Sequence, residues 1–72
     1  MSPNEVVILM SFNEKEALGV QQLAHVTDIR GAFLRYICNA MCLHGYLERK
    51  NPEGYQATWK GKKAIFEALH KN

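Results

Sequence analysis

The chain has 72 residues, 47% of them apolar and 22% charged, with a formal net charge of +2. That length suits one domain over residues 1–72 and leaves no room for a second, and the apolar share argues against wholesale disorder. The mild basicity, with a pI near 8.7, permits a nucleic-acid partner without demanding one.

Along the chain, Ser2-Pro3-Asn4-Glu5 reads as a helix start: Ser2 can accept a bond from a free amide, Pro3 suits the first helical position, and Glu5 adds an acidic first turn. The predicted helix runs from about Pro3 to Phe12, with Val6, Leu9 and Met10 on one face and Val7 and Ile8 flanking. Asn13-Glu14-Lys15-Glu16 is a polar break. Ala17-Leu18-Gly19-Val20 is short and apolar, a candidate first strand. Gln21 to His25 or Val26 reads as a short helix with Leu23, Ala24 and Val26 inward. Thr27-Asp28-Ile29-Arg30 makes a turn, in which Asp28 is expected to cap the next helix and Ile29 to pack beside it.

That next helix, Arg30 to His44, carries the strongest pattern. Leu34, Ile37, Cys38 and Met41 fall at i, i+3, i+4 and i+7, one apolar stripe of helical period. Arg35, Asn39 and Cys42 lie opposite, with Gly31, Ala32 and Tyr36 near the start. Gly45 is placed to close the helix in the left-handed conformation. Tyr46 to Lys50 reads as a strand, Asn51-Pro52-Glu53-Gly54 as a turn, and Tyr55 to Trp59 as a second, half-buried strand. Gly61 opens a last helix with Ala64, Ile65, Ala68 and Leu69 inward and Lys60, Lys62, Lys63 and Glu67 in water. His70-Lys71-Asn72 puts cations near its C-terminus.

A helix followed at once by a basic two-stranded hairpin is the layout of a winged helix-turn-helix, an α+β, mostly α fold. Four stretches resemble the IclR-like and MarR-like winged helix domains of bacterial and archaeal regulators. These are Gly19-Val20-Gln21-Gln22-Leu23-Ala24, then Ile29 to Met41 with His44-Gly45-Tyr46-Leu47-Glu48-Arg49, and Tyr55-Gln56-Ala57-Thr58-Trp59-Lys60-Gly61. The resemblance covers nearly the whole chain. It implies a three-helix core, a two- to three-stranded antiparallel wing and a C-terminal helix. It also implies a small transcriptional regulator that places helix 30–44 in the major groove of double-stranded DNA and wing 46–59 on the backbone.

The residues expected at that interface are Arg30, Gly31, Ala32, Arg35, Tyr36 and Asn39 on the helix, Arg49 and Lys50 on the wing, and Lys60 and Lys62 beyond it. Arg reads guanine and Asn reads adenine in a bidentate manner, while the wing and terminal cations could flank a phosphate track. Glu48 and Glu53 dilute the positive field of the wing. The sequence departs from the family where Ala32 and Phe33 stand in place of an early Ser or Thr. It also carries Phe33, Tyr36, Ala40 and Leu43 outside the apolar stripe. Those departures raise an alternative, a winged helix that docks a protein on the Phe33, Tyr36, Leu43 face and never touches DNA. A lone module buries little DNA surface, so a homodimer through the terminal helices is expected, with Ile65, Phe66 and Leu69 as candidates.

Other chemistries find little support. Cys38, Cys42 and His44 do not have a zinc spacing, and His25 adds nothing to it; a buried Cys38 and a half-exposed Cys42 are expected instead, and no metal or cofactor. No Ser, His and carboxylate set, Gly-rich phosphate loop or acidic cluster points to an enzyme. Tyr46, Tyr55 and Trp59 are expected to cover the core. No apolar run nears the roughly 20 residues of a membrane span. The N-terminus lacks a secretory pattern, and the two cysteines, four apart on one helix, are poorly directed for a disulfide. A cytoplasmic protein with reduced thiols follows.

Overall fold

The computed structural model describes residues 1–12 and 17–70. The polar break at Asn13–Glu16 and the terminal Lys71 and Asn72 lie outside the described residues. Four helices and a small sheet follow in the order α1 (Pro3–Met10), β1 (Leu18–Gly19), α2 (Val20–Thr27), α3 (Gly31–Leu43), β2 (Leu47–Lys50), β3 (Gly54–Ala57) and α4 (Trp59–Leu69).

Ser2 caps α1 as its sequence suggests. The Glu5 amide donates to Ser2 Oγ at 3.3 Å and the Ser2 amide donates to Glu5 Oε1 at 2.8 Å, which satisfies two donors that no helical turn can serve. The buried face differs from the expected one. Ile8, Leu9 and Phe12 enter the core, while Val7 and Met10 are exposed. At about 100° per residue, Ile8 and Phe12 share a line that Met10 cannot join.

Helix α2 begins at Val20, and the Gly19 amide donates to Gln22 Oε1 at 2.8 Å. Leu23 is fully buried and Ala24 packs beside it, but Val26 faces water. Asp28 does not cap α3. It ends α2 at φ 60°, in the left-handed region, where a short polar side chain is tolerated better than most. Arg30 holds the N-cap position of α3, without a side-chain bond.

The stripe Leu34, Ile37, Cys38 and Met41 is buried along its whole length. Gly45 ends α3 at φ 85°. Its amide donates to Cys42 O at 3.0 Å and the Tyr46 amide to Met41 O at 2.9 Å, the two bonds of a Schellman closure. The chain is thereby turned straight into β2.

The sheet is antiparallel in the order β1-β3-β2. Leu18 pairs with Tyr55, Arg49 with Tyr55 on the other side, and Leu47 with Ala57. Side chains alternate along a strand, so Leu47, Arg49, Tyr55 and Ala57 share the face toward α3. Glu48 and Lys50 share the other.

Strand β3 stops at Ala57, earlier than expected. Thr58 is the N-cap of α4: its Oγ accepts from the Gly61 amide at 3.0 Å, the preferred use of Thr at a helix start. Trp59 is therefore the first residue of a helix and is 75% exposed, not a core residue, whereas Tyr55 is buried. Along α4 only Gly61 is fully buried. Ile65 packs partly on the core, but Ala68 and Leu69 of the expected inner stripe are exposed. No helix among the described residues is long and apolar enough to cross a membrane.

Candidate nucleic-acid interface

Burying Leu34, Ile37, Cys38 and Met41 turns the opposite side of α3 outward. Helical geometry sets Ala32, Tyr36 and Leu43 along its outermost line, near i, i+4 and i+11. All three are exposed, Tyr36 at 72% and Leu43 at 90%. Arg35 and Asn39 lie on the flank nearest the wing, and Phe33 lies on the other. Gly31, Ala32 and Arg35 border a shallow hollow shared with Val20, Gln21 and Ala24 of α2.

Between α3 and the wing is a polar notch of about 210 Å³. The alternation that puts Leu47 in the core puts Arg49 at the edge of the same sheet face, where its Nη2 donates to Asn39 Oδ1 at 2.9 Å. The Tyr55 hydroxyl donates to the same oxygen at 2.8 Å. Burial pushes the Tyr55 phenol above its ordinary pKa, which keeps the donating proton in place. Arg has only donors, so Asn39 must turn its oxygen toward the wing. Both lone pairs of Oδ1 are then used. Asn39 stands as a strut between helix and wing, and only its amide protons remain for another partner.

Arg35 Nη2 lies 3.0 Å from Glu53 Oε1 of the wing turn, and Lys50 Nζ lies 3.7 Å from Glu48 Oε1. Arg49 and Lys50 are adjacent in sequence but serve opposite faces of the hairpin. Lys60 is committed elsewhere: its Nζ donates to His44 O at 2.8 Å and sits 5.2 Å from the Tyr46 ring centroid. That carbonyl is nine residues beyond Arg35, about 13 Å along the helix axis. Lys62 borders the groove between α1 and α4, and Lys63 covers Trp59. The structure thus gathers Arg35, Asn39 and Arg49, leaves Lys50 at the rim of the notch with its ammonium beside Glu48 on the other face, and sets Lys60 and Lys62 apart from them. Arg30, Ala32 and Tyr36 are exposed at the start and along the outer line of α3, together with Phe33 and Leu43, and Gly31 is half-buried.

Sequence reasoning missed the roles of Tyr55 and Glu53. A buried Tyr needs a partner for its hydroxyl, and that requirement was a readable signal for Tyr55. Glu53 carried no comparable signal, because its pairing with Arg35 depends on how the turn folds back.

Cys38 is buried and Cys42 half-buried, and both are free thiols. Burial, with Cys42 beside it, pushes the Cys38 thiol up to about 12. Among the described residues no three His, Cys, Asp or Glu side chains converge as metal ligands would.

No protein-family model matches the chain, and no curated protein matches it. Solved structures do. A MarR family transcriptional regulator from Silicibacter pomeroyi superposes with a TM-score of 0.88 at 16% identity, over 96% of this chain and 52% of that one. A MarR family protein from Bacillus stearothermophilus gives 0.89 at 22% identity, over 99% and 53%. The Bordetella bronchiseptica protein BpsR, whose DNA binding is regulated by 6-hydroxynicotinic acid, gives 0.89 at 15% identity, over 96% and 53%. The chain spans about half the length of these proteins. Its fold is that of their winged helix-turn-helix.

Proposed function

We propose that this domain binds duplex DNA as a transcriptional regulator, or as the DNA-binding part of one, and is not an enzyme. Helix α3 enters the major groove and the wing follows the backbone. The observation that carries this reading is the Arg49–Asn39 bond at 2.9 Å, which holds a wing cation against the same flank of α3 that bears Arg35. The resemblance to regulators of the same fold supports it. Arg30, Gly31, Ala32 and Tyr36 contribute the helix surface, Arg35 and Arg49 the phosphate contacts at the notch, Lys50 one from the opposite face of the hairpin, and Lys60 and Lys62 an outlying pair. A homodimer through α1 and α4 supplies two half-sites, and the free thiols suit a reducing cytoplasm.

The test is binding to a random-sequence duplex at about 50 and 200 mM salt, where several phosphate contacts produce a steep loss of affinity. Arg35→Ala and Lys50→Ala each weaken binding and lower the salt slope by about one. An absence of binding at low salt overturns the reading.

A second reading has its own observation. The outermost line of α3 is largely apolar, with Tyr36 and Leu43 exposed and Phe33 beside them. Such a patch suits a protein partner. It predicts that Tyr36→Ala and Leu43→Ala abolish partner binding while Arg35→Ala leaves it intact.

A further inference from the structure

The ion pair across the notch joins a cation of the proposed DNA surface to an acid of the wing turn. Glu53 Oε1 meets Arg35 Nη2 at 3.0 Å. The acid is also held in position by its backbone. The Val20 amide donates to Glu53 O at 3.0 Å, so the start of α2 grips the turn. The next residue, Gly54, approaches β1 so closely that a Cβ there would lie 2.6 Å from Leu18 O. The backbone at Glu53 is thus pinned on the β1 side while its side chain extends to the α3 side. Arg49 reaches from the wing to Asn39, on the same flank of α3 as Arg35. Arg35, Arg49 and Glu53 all line this notch, so a carboxylate occupies the helix cation in the space where a phosphate bridging helix and wing would seat.

From this geometry we propose that the notch is a phosphate seat and that Glu53 is its resident competitor. A phosphate of duplex DNA enters by displacing the Glu53 carboxylate from Arg35. This rests on the DNA-binding reading above and adds a built-in brake to it. The pair suits the role energetically. Both side chains are more than half exposed, and a surface ion pair is weak enough to be exchanged for a phosphate. A guanidinium also makes the same paired donor geometry to phosphate as to carboxylate. Asn39, by contrast, keeps its hold on Arg49 throughout, so the wing stays in register while Arg35 changes partner.

The test is a double-mutant cycle on binding to a random-sequence duplex at about 50 mM salt, using Glu53→Gln, Arg35→Ala and the double variant. The amide keeps the size of Glu53 and removes its charge. Glu53→Gln tightens binding about two- to fivefold, the range a weak surface pair allows. That gain disappears in the Arg35→Ala background. An equal gain with and without Arg35 shows only a general charge effect and overturns the proposal, as does no gain at all. If wild type binds and Arg35→Ala weakens it while Glu53→Gln changes nothing, the DNA reading stands and the competitor falls alone. If neither wild type nor Glu53→Gln binds, both fall. Circular dichroism confirms that each variant keeps its fold.

Discussion

The Tyr55 hydroxyl donates to Asn39 Oδ1 over 2.8 Å, tying β3 to the middle of α3 across sixteen residues of sequence. Helix and wing are therefore one unit, and the bond is a target for measurement. Tyr55→Phe removes one donor and is expected to cost about 0.5–1.5 kcal/mol. Asn39→Ala also strands the part-buried hydroxyl and releases Arg49, and is expected to cost about 1–3 kcal/mol. Urea unfolding of both variants checks the order. If Asn39→Ala is the milder of the two, Asn39 is not the strut described.

Gly61 is a helical glycine whose replacement is costly for a reason outside the helix. A Cβ there would collide with the Tyr46 carbonyl, one residue before β2. Alanine ordinarily favours a helix over glycine by about 1 kcal/mol. Overpacking costs about 1–3 kcal/mol, so Gly61→Ala is expected to be destabilised on balance. Its Tm falls by roughly 4–8 °C per kcal/mol for a domain this size. A raised Tm would remove the close approach from the account.

The Cys38 thiol titrates near 12 in the folded protein against an ordinary value of 9. The folded state binds that proton more tightly than the unfolded chain. Its contribution is thus full below about pH 9 and is lost as pH rises toward 12, because only the unfolded chain ionises in that window. Between pH 8 and pH 10.5 the urea midpoint of wild type is expected to fall relative to that of Cys38→Ala. Parallel curves would contradict the burial. Native Cys38 should also resist alkylation at pH 8.

Met10 on α1 and Phe66 and Leu69 on α4 are all exposed around one groove of about 390 Å³ bordered by both helices. If a second copy covers this face, Phe66→Glu with Leu69→Glu weakens self-association at least about thirtyfold, as loss of a central apolar anchor does. Sedimentation velocity across a concentration series reads this directly. A wild type that stays monomeric at the highest concentration removes the homodimer.

The elements that the sequence announced are those whose signal is local. Ser2-Pro3-Asn4-Glu5 declares its capping box within four residues, and Leu34, Ile37, Cys38 and Met41 declare a buried face by period alone. Gly45 announces its own turn. The misplacements arise where two local preferences compete. Asp28 is a good cap and also a tolerable left-handed residue, and the geometry between α2 and α3 selects the second. Thr58-Trp59 alternates like a strand, yet Thr58 is also a cap, and α4 claims it. Met10 and Val26 look inward only if their helices bury a broader face than they do. At the candidate interface, the helix and wing residues were readable as types. The pairings Arg49–Asn39 and Arg35–Glu53 were not, because each depends on the register of β2 against β3 and on the height of the turn.

Thr58 Oγ accepts from the Gly61 amide and donates to the Gly45 carbonyl. One oxygen atom thus belongs to the last turn around α3 and the first turn of α4 at once, and Lys60 adds a second tie to His44 O. The C-terminal end of α3 and the start of α4 are thereby stitched together by two side chains two residues apart.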